Sequence, residues 1–110
     1  MKIAFSSTGP GLEDLLDPRF ARCRYYLVVD MARNETVPVE NTSGMACTVR
    51  GTAAGNLVVG LQVDAVITGH IGRKASKTLR EAGIRVYLGA SGRISAALED
   101  FKAGRLREAE

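Results

Sequence analysis

The hydrophobic pattern of this chain changes period near residue 41, and few folds accommodate such a change. Before it, apolar and β-branched residues come in short runs at 2–6, 24–30 and 36–40. Runs of this kind, separated by turn formers at 7–11 and 32–35, read as strands. Pro38 places the third at a sheet edge, where a missing N–H breaks no ladder. Pro18 keeps the intervening residues 10–22 a loop.

Beyond the polar stretch 41–47, helical and strand-sized runs alternate. The spacing predicts a helix over about 48–61 with Leu57, Val58 and Leu61 inward, then a buried strand at 65–68. A helix over 73–82, closed by Gly83, precedes a strand at 84–88. Ser91 is expected to N-cap a last helix carrying Ile94, Ala97, Leu98 and Phe101 on one face up to Gly104. Residues 105–110 are expected to fray.

The order β-β-β-α-β-α-β-α defines an α/β protein: an antiparallel meander followed by two crossover units. Right-handed crossovers set the last two strands parallel to the first. The expected result is a five-stranded mixed sheet of order 3-2-1-4-5 with three helices, a ribonuclease H-like arrangement. At 110 residues, 45% of them hydrophobic, 1–110 is expected to be one domain whose core needs no disulfide or structural metal. The first residues run directly into a strand pattern with no basic-then-apolar leader, and no apolar run is long enough for a bilayer. Cytoplasm is the expected location, where two cysteines 24 positions apart are free thiols or ligands rather than a disulfide.

In this topology the loops 7–23, 41–48, 69–73 and 89–92 open on one side, the ligand side of α/β sheets. Three helices begin there, presenting free N–H groups and positive dipole ends. Arg19, Arg22, Arg24, Arg50, Arg73, Lys74 and Arg93 lie in or beside these loops, exceeding Glu13, Asp14, Asp17 and Glu40. Cys47, beside a helix start, and His70, between Gly69 and Ile71-Gly72, reach the same edge. Together these favour an anionic ligand, with a thiolate offering soft-metal ligation. For Cys47 a small buried cysteine is an equal alternative, and Cys23, opening an apolar strand, is expected to be core.

Several chemistries lack their residues. There is no CxxC and no second histidine for tetrahedral zinc, and no Walker, GxGxxG or GxSxG motif. A two-metal nuclease needs clustered carboxylates, whereas Asp30 and Asp64 fall at the opposite edge. The net charge of +3 admits a small nucleotide or nucleic-acid binder as a third reading, but aromatic stacking positions on the sheet are missing, so nucleic acid is not expected.

In its opening Met1-Lys2-Ile3-Ala4-Phe5, in Asp17-Pro18-Arg19-Phe20-Ala21-Arg22-Cys23 and in Tyr26-Leu27-Val28-Val29-Asp30, the chain resembles the dinitrogenase iron–molybdenum cofactor biosynthesis family (nitrogenase accessory factors). The segments 37–41, 64–72 and 82–89 extend the resemblance to nearly the whole chain. It implies a ribonuclease H-like fold and a non-enzymatic role in carrying or inserting metal–sulfur clusters. Many members have histidine where Arg19 stands and glycine where Ala21 stands, and a loop after Asn41 rich in histidine and glycine. The arginine-bearing pattern here looks more like the orange-protein branch, whose members hold an anionic molybdenum–copper sulfide cluster. The resemblance then implies a cluster, of that or the iron–molybdenum type, held by Arg19, Arg22, Arg50, His70, Gly72, Arg73 and Ser91, with Cys47 and His70 toward metal. The protein is expected to be a monomer with no membrane partner. An alternative is an interaction module, without metal, that docks an ATPase of the iron–sulfur assembly type.

Overall fold

The computed structural model describes residues 1–43 and 50–109, with side chains of the first helix described from Ala53 onward. Among the described residues the elements run β1 (Lys2–Ser7), β2 (Tyr25–Asp30), β3 (Glu35–Glu40), α1 (Arg50–Gly60), β4 (Ala65–Ile67), α2 (Arg73–Glu81), β5 (Arg85–Leu88), α3 (Ile94–Lys102) and β6 (Arg107–Glu108). They build one mixed sheet of order β3-β2-β1-β4-β5-β6. β1, β2 and β3 form the antiparallel meander, with Phe5 opposite Leu27 and Leu27 opposite Pro38. β4 lies parallel to β1, and β5 parallel to β4.

β1 sits at the centre and is buried on both faces, so its alternate side chains feed two cores. Ala4 joins Tyr26, Val28, Val58, Val66 and Leu79 beneath α1 and α2. Ile3 and Phe5 join Leu27, Ile67, Ile94 and Ala97 beneath α3. Gly55 lets α1 approach α2 closely: a Cβ there would stand 3.1 Å from the Thr78 side chain. Val58 is fully buried, while Leu57 and Leu61 pack at the core's margin.

Two expectations are corrected. The sheet has six strands, not five, because part of the tail expected to fray is paired. Tyr87 lies opposite Glu108 and Leu88 opposite Arg107, and the Ala109 N–H donates to the Val86 carbonyl at 2.7 Å. Gly104, at φ 73°, turns the chain back after α3. Leu106 then packs against the core beneath α3 and Ala109 against the other, pinning the tail from both faces. Two apolar residues on opposite faces are too few to reveal a strand period in sequence.

The second correction concerns the start of α3. Its N-cap is Arg93, not Ser91, and no side chain caps it. Residues 12–16 instead run alongside, and the Ile94 and Ser95 N–H groups donate to the carbonyls of Asp14 and Leu12 at 2.9 and 2.8 Å. A hydroxyl cap is unnecessary where a neighbouring loop supplies backbone acceptors.

Candidate functional site

The residues that shape the site meet where β4 ends. The His70 N–H donates to the Pro18 carbonyl at 2.6 Å, and the Phe20 N–H donates to the His70 carbonyl at 3.1 Å. Arg19 and His70 thus run side by side as a short parallel bridge. On the other flank, Gly89 and Ala90 donate to the carbonyls of Gly69 and Thr68 at 3.2 and 3.3 Å. Between them, loops 17–20 and 89–90 hold three consecutive residues, 68–70. The contact with Pro18 requires glycine at 69, since a Cβ would stand 2.8 Å from the Pro18 Cα and Cβ. Gly69→Ala is expected to push the two loops apart and to lower stability by about 1–3 kcal/mol. Urea unfolding, with amide shifts confined to 17–20 and 68–71, would check this; a variant as stable as wild type would contradict it.

Below the junction lies a buried polar network. The Ser6 hydroxyl lies 2.7 Å from both the Asp17 carbonyl and the Thr68 hydroxyl. Asp17, itself buried, folds its carboxylate back in an Asx turn to accept the Arg19 N–H at 2.9 Å. The same carboxylate accepts the Arg19 Nε at 3.2 Å. This hydrogen bond, then the carboxylate's charge, holds the Arg19 guanidinium above its usual pKa. A second Asx turn is made by Asn41, which accepts the Ser43 N–H at 3.0 Å. Its amide donates to the carbonyls of Cys23 and Ala21 at 2.8 and 3.2 Å, fastening the start of the 41–48 loop to loop 17–23. Among the described residues, loops 7–23, 69–73 and 89–92 and the start of the 41–48 loop open on one edge, as expected.

The candidate residues divide clearly. His70 is exposed at the junction, and Gly72 is the N-cap of α2 with no side chain over the helix end. The N–H groups of Arg73, Lys74 and Ala75 meet no acceptor among the described residues. Arg73 and Arg22 are exposed and form no ion pair among the described residues. Arg19, 62% exposed, is committed to Asp17. Ser91 is exposed, but the N–H groups it was expected to accompany are capped by Leu12 and Asp14. Arg50 opens α1. Cys47 lies outside the described residues.

Cys23 is core, at 4% exposure, with its thiol directed to the Phe20 carbonyl at 3.4 Å. Burial above all pushes that thiol up to about 12. At neutral pH it is a protonated thiol packed in the core. Among the described residues, no three His, Cys, Asp or Glu side chains group closely enough to hold a metal ion. Among the described residues the edge offers N–H donors, positive charge and one imidazole. That set suits an anion bringing its own soft ligands better than a bare cation.

Sequence reasoning counted Asp17 as one more charge on the rim and passed over Ser6, Thr68 and Asn41. The Asp-Pro-Arg and Asn-Thr-Ser triplets carried the signal. Each puts an Asp or Asn two residues before the N–H that it accepts.

Residues 1–104 match the family described as dinitrogenase iron-molybdenum cofactor, and the chain belongs to that family. Among solved structures it is similar to the apo form of the orange protein from Desulfovibrio gigas. That match has 33% identity and a TM-score of 0.92, over 98% of this chain and 92% of the other. A Thermotoga protein solved by NMR and provisionally assigned to NifB matches with 32% identity and a TM-score of 0.84, over 97% and 91% of the two chains. An uncharacterized protein of Methanocaldococcus jannaschii is 30% identical over 113 residues, covering all of this chain and 92% of its own.

Proposed function

We propose that this protein is a non-enzymatic carrier or assembly protein for an anionic molybdenum-containing metal–sulfur cluster. The observation that carries the reading is the open end of α2: three N–H groups without acceptors among the described residues, next to exposed Arg73 and shortly after exposed His70, with exposed Arg22 in the loop that bridges to His70. A helix N-terminus with unspent donors favours negative charge, and nearby guanidinium groups add to it. The family membership and the likeness to an orange protein support a cofactor-related role. A molybdenum–copper sulfide cluster suits the donor set because its sulfides already ligate its metals. The iron–molybdenum type of cluster is the other member of this class. Arg19, Arg50 and Ser91 line the approach in this reading, and Cys47 contacts the cluster's metal edge. The protein works as a single-domain monomer in the cytoplasm; no helix among the described residues is long and apolar enough to cross a membrane.

The test is anaerobic mixing with tetrathiomolybdate and a copper salt, followed by gel filtration. A coloured protein fraction is expected at low salt, weakening as salt rises because screening shortens the reach of exposed charges. Arg22→Glu with Arg73→Glu should weaken retention by about tenfold or more, since each swap replaces an attraction by a repulsion. Cys47→Ser should lower retention without altering stability. A colourless protein at low salt, with the metals in the small-molecule fractions, refutes the carrier reading.

A further inference from the structure

A second surface lies beside this edge. An open groove of about 1030 Å³ runs between the exposed face of α2 and the β5–β6 end of the sheet. Its size lies at the upper end of the range of about 300–1,000 Å³ usual for small-molecule pockets. Its floor is apolar, formed by Ile71, Leu88 and Ala109. Its walls are charged: Arg73 and Lys77 come from successive turns of α2, and Arg107 faces them from β6. None of these three cations is ion-paired among the described residues. The helix can present this stripe because Ala75 and Leu79 are its buried residues, on the opposite side from the exposed cations.

We propose that this groove docks an acidic, amphipathic segment of a partner protein, laid along α2 with its carboxylates on Arg73, Lys77 and Arg107 and its apolar side chains on the floor. Charge complementarity identifies the occupant. Arg73, Lys77 and Arg107, without ion-pair partners among the described residues, call for an anionic chain, and the apolar floor calls for side chains that a polyphosphate lacks. No aromatic ring among the described residues lines the groove to stack a base; Glu81 and Glu108 also line it but leave the cations in excess. Arg73 belongs both to the groove and to the open end of α2, so a docked segment lies against the cluster edge. The proposal rests on the carrier reading for its purpose, delivery of the cluster, but its physical basis is separate.

The experiment titrates the full chain with an acetylated peptide alternating glutamate and leucine, followed by amide shifts and calorimetry. Binding is expected at low salt with shifts on α2 and β6. Lys77→Glu with Arg107→Glu should weaken it about tenfold or more, and a glutamine-for-glutamate peptide should bind far less. Both positions are exposed, so the variant should fold; its circular dichroism and cluster retention check this independently. Lys77→Gln, which leaves the groove merely less positive, should fall between. No binding at low salt, binding indifferent to these substitutions, or tighter binding of a mixed-sequence oligonucleotide at the same amides would each overturn the proposal. If the protein holds no cluster yet binds the peptide as expected, only the carrier reading falls. If it holds cluster but ignores the peptide, only the docking proposal falls.

Discussion

Phe20→Ala should destabilise the protein by about 3–5 kcal/mol, the range for truncating a fully buried aromatic residue. Phe20 is 1% exposed and meets the Tyr26 ring at 5.3 Å. Its backbone is equally committed. The N–H donates to His70, and the carbonyl accepts the Tyr26 hydroxyl at 2.7 Å and the Cys23 thiol at 3.4 Å. One residue therefore ties loop 17–23 to the end of β4 and to β2. Removing the ring leaves a cavity that loop residues fill only by moving, which should loosen the Arg19–His70 bridge before the sheet itself yields. Phe20→Leu keeps most of the volume and should lose less than about 1.5 kcal/mol. Urea titration gives the stability change. Hydrogen exchange at Phe20 and His70 reports the bridge and should accelerate in the alanine variant more than exchange along β1. If Phe20→Ala lies within about 1 kcal/mol of wild type, the site loop is anchored by something other than this ring.

The order of elements was legible because each run of the chain keeps one hydrophobic period between clear turn signals. The run Tyr25–Asp30 reads only as a strand, while Leu57, Val58 and Leu61 recur at helical spacing. Handedness then placed β4 beside β1 and β5 beyond it, both parallel to β1, and the convergence of loops followed from that. β6 was not legible, because its pairing depends on where α3 ends in space and its own residues, Arg107 and Glu108, are charged and exposed. The cap of α3 was misassigned for a related reason. Ser91 is a good capping residue in isolation, but carbonyls from residues 12 and 14, some eighty positions earlier, arrive first. At the site, sequence could gather the charges on one edge but not say which were already spent. Arg19 looked the same as Arg22 until the buried Asp17 carboxylate was found beneath it.

Stability should fall steeply in alkali, and Cys23 should account for a large part of the loss. Burial raises the native thiol from its ordinary value of 9.0 to about 12, opposed in part by hydrogen bonding with Tyr26. Below the ordinary value both native and unfolded chains hold the proton, so the packed thiol contributes its full stabilisation. As pH rises past that value the unfolded chain releases the proton while the native chain keeps it. The unfolded state is therefore favoured progressively until the folded value is reached. A shift of this size corresponds to a loss of up to about 4 kcal/mol, at about 1.4 kcal/mol per unit. Tyr26 adds to the slope at the upper end, because burial, and then the negative charge of a nearby thiolate, raise its phenol as well. Cys23→Ala separates the two. Near neutral pH the variant should be less stable than wild type by about 1–2 kcal/mol, having lost a sulfur's worth of packing and the contact with the Phe20 carbonyl. Above the ordinary thiol value its stability should decline less steeply, retaining only the phenol's contribution, so the two curves converge and then cross. Urea midpoints at a series of pH values would trace both. Curves that fall in parallel throughout that range would mean that the Cys23 thiol ionises in the native state as readily as in the unfolded chain, and that its apparent burial does not shield it from solvent.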